Sequence, residues 1–365
     1  MRSKLFAAAV GVLLLPGVAV QAGVLPRIDF PPDSPVAVLS SDPTGTAESP
    51  RGGAVMVDLH DALTLRNSGQ RRICGVTLMV IAQDISAGGK ASVTVPSLNV
   101  APGEAFPVRV DLRLLRPVQT ANGVVQITLD GILFDDLTFY GPDRLGSRHA
   151  LTVYELEARR DRKYFRNLLE AGGPERLKRE MLTAMARAAD RSGVAVQMVR
   201  GPSTNYEAEH ELQFSFVQLP DAPVEPDEGR VRVAANEARG PRLSIRNRSD
   251  RAVRSVEIGW IVQDRQGREF LAESLPADLN LAPGQRREIT QDATLRFPRE
   301  IAVAGMTGYV SSVEFTDGHV WIPSRAALAD PRLEKALAPS PEQDRLMQIY
   351  RRKGLNALVE ELKRF

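Results

Sequence analysis

The chain has 365 residues, a formal net charge of +2, one cysteine and four histidines. That length supports more than one domain with a proper core, while a single cysteine excludes a framework of intramolecular disulfides. A near-neutral balance with no basic run is not the footprint of a nucleic-acid binder, so nucleic acid is not expected as a partner.

Residues 1–22 read as a signal peptide. Arg2 and Lys4 open it, an apolar run extends from Leu5 to Leu15, and Val20 and Ala22 set a cleavage site after Ala22. The apolar run is too short to span a bilayer, and no later stretch reaches about 18 apolar residues, so no integral membrane segment is expected after cleavage. No cysteine stands at the cleavage point to carry a lipid. The expected location is extracytoplasmic, in the periplasm or the medium.

Residues 23–53 follow as an N-terminal extended segment with one strand at Val36–Leu39. Then the strongest signal of the chain begins. Leu63–Asp84, LTLRNSGQRRICGVTLMVIAQD, recurs as Leu243–Asp264, LSIRNRSDRAVRSVEIGWIVQD, with Asn67/Asn247, Arg71/Arg251, Val76/Val256 and Asp84/Asp264 among the identities. The correspondence continues from Leu98–Gly103 to Leu279–Gly284, from Phe134-Asp135-Asp136 to Phe315-Thr316-Asp317, and from Tyr140–Arg144 to Trp321–Arg325. A nearly constant spacing over such a length marks a duplicated structural unit.

Val76, Leu78 and Val80, like Val256, Ile258, Trp260 and Val262, alternate with the period of a half-buried strand. Asn67-Ser68-Gly69 and Asn247-Arg248-Ser249-Asp250 supply turn chemistry, as do Pro102-Gly103 and Pro283-Gly284. Further strands are expected at Phe106–Leu115, Val124–Leu129 and Ile132–Phe139. The expected fold is mainly β with helical appendages: two tandem antiparallel β-sandwich units, at 54–150 and 231–328, each followed by a short helical segment. This order of turn, alternating strand, Gln-Asp and Leu-x-Ala-Pro-Gly resembles the immunoglobulin-like or fibronectin-like modules of bacterial envelope proteins. The resemblance implies a sandwich fold and no particular function. The immunoglobulin pattern of two cysteines around a tryptophan is not met, since the first copy has Cys74 without a tryptophan and the second Trp260 without a cysteine.

A helical hairpin is expected over 151–193, as Tyr154–Glu170 and Pro174–Arg191 on either side of Gly172-Gly173. Leu177, Met181, Ala184, Met185 and Ala188 fall on one of its faces. Residues 194–230 read as a strand around Leu212–Phe216 followed by a proline- and acid-rich linker, Leu219–Arg230. A C-terminal helical tail over 329–365, as Glu342–Arg352 and Leu355–Leu362 around Gly354, repeats the hairpin in shorter form. Each apolar stripe needs a surface to cover: first of all the preceding sandwich, otherwise a partner or the other copy.

The four histidines stand alone without metal-ligand spacing, and no nucleophile elbow, P-loop or dinucleotide fingerprint occurs, so neither metal nor cofactor nor catalytic residue is assigned. Cys74 reads as structural, with an intermolecular bridge or reactive thiol as the alternative. One constellation recurs, an acid, an aromatic and an arginine at equal spacing: Asp136, Tyr140 and Arg144, then Asp317, Trp321 and Arg325. It is a candidate interaction surface, because aromatics and arginine carry most interface energy. Its plainer explanation is a hairpin turn and the close of a last strand. The expected function is an exported, non-catalytic binding or scaffold protein of the cell envelope, with an envelope or secreted protein as partner. The alternatives are a secreted or periplasmic enzyme acting on cell-wall or surface glycan, and a chaperone-like carrier lending a sheet edge to exported proteins.

Overall fold

Period-two alternation governs the first group of strands, β1 (Arg27–Asp29), β2 (Val36–Asp42), β3 (Ala47–Arg51), β4 (Ala54–Asn67), β5 (Ile73–Ile81), β6 (Lys90–Val95), β7 (Ala105–Pro117), β8 (Gln126–Phe134) and β9 (Phe139–Tyr140). The structure is a computed structural model describing residues 26–82, 89–117, 125–190, 197–199, 209–291, 294–298 and 301–364. The expected leader lies outside these residues, as do Gln83 and Asp84 of the repeat. β4 pairs antiparallel with β7 on one edge and with β2 and β3 on the other. β5 lies between β6 and β8, and β1 runs parallel to β8. Val57, Leu59, Leu63 and Leu65 of β4 bury against Val76, Leu78 and Val80 of β5 in one apolar cluster. The arrangement is consistent with a β-sandwich.

The second group is β10 (Gln197–Val199), β11 (His210–Phe216), β12 (Val224–Ala234), β13 (Glu237–Asn247), β14 (Val253–Asp264), β15 (Glu269–Leu281), β16 (Arg286–Thr290), β17 (Thr294–Arg296), β18 (Val303–Phe315) and β19 (Val320–Trp321). Its registers match those of the first. Val224 stands opposite Asn247 as Val36 does opposite Asn67, and Arg286 opposite Arg246 as Ala105 does opposite Arg66. Phe315 faces Val253 as Phe134 faces Ile73, and β11 meets β18 in parallel as β1 meets β8. A separate cluster fills this group, with the fully buried Trp260 held between Phe214 and Phe216, ring centroids 4.8 and 5.9 Å away.

Asn67 and Asn247 explain why the repeated segment keeps asparagine. Each is fully buried, and each donates from Nδ2 to two carbonyls, Arg71 and Val100 in one group, Arg251 and Leu281 in the other. Their Oδ1 atoms accept from the backbone of Gly69 and Ser249, so the side chain replaces a missing ladder where the strand ends. Asn247→Ala strands two carbonyls, the buried one of Leu281 and the part-buried one of Arg251, and lowers unfolding free energy by about 2 kcal/mol. Denaturant unfolding checks this, and a loss under a few tenths would remove the role.

Four expectations need correction. The first sheets begin at Arg27 and not at residue 54, because β1, β2 and β3 all join the ladders. The Leu219–Arg230 stretch is no linker: Leu219, Ala222 and Val224 are buried and β12 starts at Val224. Its composition hides the strand. Pro226 is tolerated because the ladder from β11 to β12 begins only at Gly229, so the missing N–H faces no neighbour. The second group accordingly starts at or before β11, ahead of residue 231. Finally, in place of the strands expected at Val124–Leu129 and Ile132–Phe139, β8 runs unbroken from Gln126 to Phe134 and Phe139 belongs to β9, while Val124 lies outside the described residues. Asp130-Gly131 makes no turn there, since the buried Asp130 carboxylate is taken by Ser147 Oγ and the Arg144 N–H.

Three α-helices complete the described chain: α1 (Ser147–Asp190), α2 (Pro331–Ala336) and α3 (Pro341–Lys363). α1 and α3 each contain one glycine with left-handed backbone, Gly173 at φ 67° and Gly354 at φ 81°. A helix cannot pass through such a residue, and glycine adopts it without penalty. The chain doubles back at both. Arg345 reaches Glu361 at 2.5 Å and Tyr164 lies beside Glu180, positions that a straight helix would hold about 24 Å apart.

The two hairpins pack on each other. Phe165, Leu177 and Met181 of α1 and Leu346, Leu358 and Leu362 of α3 form one cluster, each at or near zero exposure. The stripes therefore cover one another and not the preceding sandwich, which corrects the first expectation for them. The beginning of α1 does pack on its own sheet, with Leu151 pressed onto Gly75, where an added Cβ would lie 2.7 Å from a leucine methyl. Two acids sit fully buried at the seam. Asp161 accepts from Ser340 Oγ at 2.6 Å, the same serine that caps α3, and Glu342 pairs with Arg345 at 2.8 Å and Arg162 at 3.8 Å.

Candidate functional site

The recurrent acids belong to turns. Arg71 lies over the Phe134 ring, 3.9 Å from its centroid, and pairs with Asp136 at 3.5 Å; Arg251 lies over Phe315 at 4.5 Å and pairs with Asp317. Asp136 accepts from the Thr138 N–H at 3.0 Å and Asp317 from the His319 N–H at 3.1 Å, which closes the loop between β8 and β9 and between β18 and β19. The Arg251 hydrogen bond, with that of His319, brings the Asp317 carboxyl down to about 2. These pairs are exposed, so they shape the turn while adding little stability.

The other four candidates do not form two like surfaces. Tyr140 and Trp321 are half-buried on β9 and β19, paired with Ile132 and Val313 and packed against their respective cores. Burial, with Asp33 alongside, raises the Tyr140 phenol. Arg144 is exposed. Arg325 is drawn inward, 3.7 Å from Asp161 and 4.5 Å from the Tyr164 ring centroid.

A second set of polar residues joins the two strand groups. His149, on the first turn of α1, reaches Glu257 of β14 at 3.4 Å, Glu314 of β18 at 3.1 Å and Ser312 Oγ at 3.2 Å. Burial alone would lower its imidazole, but hydrogen bonds and charge from both glutamates outweigh it and hold the pKa at about 9. Glu257 and Glu314 are correspondingly held below the usual carboxylate range by His149, against the desolvation that opposes both. His149 is invisible to sequence reasoning because it stands alone in its own segment. A trace of its partners is legible. Thr77 and Leu133 of the first group have Glu257 and Glu314 at the matching registers of the second, two charges where the first group has uncharged side chains.

Cys74 is buried, and burial pushes its thiol up to about 12. That protonated, enclosed state fits the structural role and not the reactive one.

A cavity of about 610 Å³ opens where α1, β18 and the segment around α2 meet, with Glu157, Tyr164 and Glu180 on one wall, Tyr309 on another and Leu328 and Leu337 on a third. Burial pushes the Glu157 carboxyl up to about 7. The distance along the chain between these walls kept the cavity from being read in the sequence.

No protein-family model and no curated protein matches the chain. Among solved structures it is similar to a β-glucosidase from Kluyveromyces marxianus, at 8% identity over 71% of this chain and 45% of that one, with a TM-score of 0.17. A bacterial adhesin from Mobiluncus mulieris follows at 10% identity, 75% and 97% coverage and a TM-score of 0.16. Red sea bream transglutaminase gives 9% identity, 76% and 31% coverage and a TM-score of 0.13. The chain spans less than half the length of the β-glucosidase. Likenesses of this size assign neither fold family nor activity.

Proposed function

We propose that the chain is an exported, non-catalytic binding or scaffold protein of the cell envelope, built from a duplicated immunoglobulin-like unit of sandwich and helical hairpin. The observation that carries this reading is the seam between α1 and α3. Strand groups with matching registers each lead into a hairpin, broken at Gly173 or Gly354, and the hairpins pack on each other in one cluster, which supports a fixed placement of the two groups. A rigid pair of like modules suits presentation of surfaces to a partner, because little ordering entropy is then lost on binding. The leader-like residues 1–22 support export.

Crosslinking of the tagged protein in its native envelope, followed by mass spectrometry, tests the reading. The expected result is a reproducible protein partner joined near Arg144, Tyr140 or Trp321; crosslinks to the chain itself alone would contradict it. Arg144 and Arg325 are expected to separate in the same assay. Arg144→Ala weakens the partner crosslink at unchanged melting temperature, whereas Arg325→Ala lowers melting because it removes one of the two cations, with Arg160, beside buried Asp161.

A further inference from the structure

The second half departs from the first after Pro323 and Arg325, the counterparts of Pro142 and Arg144. In the first half the chain runs directly into the helix starting at Ser147. In the second, Pro331 and Pro339 interrupt the same stretch, leaving a 3-10 turn at Ala327–Ala329, then α2, then an extended piece before α3. A proline inside a helix lacks the N–H donor and collides with the carbonyl four residues back, so a continuous helix is not available here. The broken segment forms one wall of the 610 Å³ cavity, with α1 and the outer face of β18 forming the others. A place where a repeated plan is abandoned is where function is to be sought.

The cavity wall formed by the broken segment is mostly apolar, through Leu328, Leu337 and Ala338, with Glu334 and Ser340 as its polar members. Facing it, α1 presents Glu157. The arginines of the lining already have partners: Arg325 with Asp161 and the Tyr164 ring, Arg187 with Glu334 at 2.6 Å and Glu180 at 3.7 Å, Arg160 with Asp161 and the Pro323 carbonyl, each at 3.1 Å. Glu157 has one ion-pair partner among the described residues, Arg160 at 3.8 Å, which is already shared with Asp161. The other charges it feels, Asp161 from its own helix and Glu257 from β14, are negative. A partly buried carboxylate so placed is stabilised by a cation that brings its own desolvated charge, and an anion entering the cavity would meet Glu157 and Glu180.

We infer that this cavity is a binding site for an organic cation with an apolar body, its ammonium or guanidinium group on Glu157 and its chain against Leu328, Leu337 and Ala338. The volume lies within the range of about 300–1,000 Å³ of small-ligand sites, and the lining includes the Tyr309 ring, an aromatic group of the kind that attracts a cation. A free amine and a lysine or arginine side chain of a polypeptide share this chemistry. The inference stands apart from the scaffold reading, since it concerns one cavity and requires neither export nor an envelope partner.

Titration calorimetry of the full chain with n-hexylamine, n-hexanol and n-hexanoate at pH 7 tests it. Hexylamine is expected to bind at least about tenfold more tightly than hexanol, and hexanoate to give no binding heat. Glu157→Gln should remove that advantage without lowering the melting temperature, and Ala338→Leu, which fills the cavity from the opposite wall, should abolish binding with Glu157 intact. Binding should also release protons at pH 7, with the number falling towards zero at pH 9, where Glu157 is already ionised. Competition by a lysine-bearing pentapeptide assigns a polypeptide source and its absence a free amine; either arm supports the site. Equal affinity for amine and alcohol, no heat with the amine, or unchanged amine binding by Glu157→Gln would each overturn it.

Discussion

Phe165→Ala lowers unfolding free energy by about 3–5 kcal/mol, the cost of emptying a phenylalanine site in a closed core, and divides thermal unfolding into two transitions. Phe165 is fully buried and contributes the only phenylalanine of the α1–α3 cluster. The other fully buried side chains there are aliphatic or methionine, Tyr164 packs edge-on to Phe165 with ring centroids 5.2 Å apart, and the hairpins turn at Gly173 and Gly354, so the site has little freedom to collapse around the vacancy. The strand groups keep their own clusters, and once the seam opens what joins them is polar contacts such as His149 with Glu257 and Glu314, so they are expected to unfold separately. Leu358→Ala, from the α3 side, should act in the same direction, and the double variant should lose less than the sum because both remove one contact surface. Calorimetry checks the result. A single sharp transition in Phe165→Ala, shifted by only a few degrees, would show that the hairpins do not fasten the halves.

His149→Gln is the second large effect, about 2–3 kcal/mol near pH 6, where removal of one member of a mostly buried ion cluster is discounted for partial solvent access. Without the imidazolium, Glu257 and Glu314 face each other on neighbouring strands beneath α1. The pH dependence has a definite sign. The His149 pKa is raised in the folded chain to about 9 from 6.5, so its contribution is complete below pH 6.5 and is lost as pH rises through 9. Glu257 and Glu314 are lowered from 4.5, so their contribution is present above pH 4.5 and falls away on acidification below it. The gap in melting temperature between wild type and His149→Gln is therefore widest from about pH 5 to 6.5 and narrows towards pH 10. A gap that grew with rising pH would show that His149 is neutral in the folded chain.

The strand groups were legible because alternation along Val256–Val262 and the recurrence of Asn67/Asn247 and Arg71/Arg251 report local geometry that each strand group must solve alone. The Asp136 and Asp317 turns were legible for the same reason. Strand β12 was hidden by Pro226, Asp227 and Glu228, residues that break alternation at a bulge while the chain stays in the ladder. The helical stripes were visible in Leu177, Met181 and Leu358, but an apolar stripe carries no record of what covers it. His149, Asp161 and Glu157 gain their roles only from elements distant in sequence, and a lone histidine or acid has no spacing from which to infer a partner. The matching glycines Gly173 and Gly354 were present as a clue that the hairpins share one plan.

Native-state hydrogen exchange read by mass spectrometry would test most directly whether the seam of α1 and α3 unites the two halves. The expected result is that amides around Phe165, Leu177, Leu346 and Leu358 exchange as slowly as those of β5 and β14, at the rate of global opening. Fast exchange throughout α3, with β5 and β14 still protected, would contradict it.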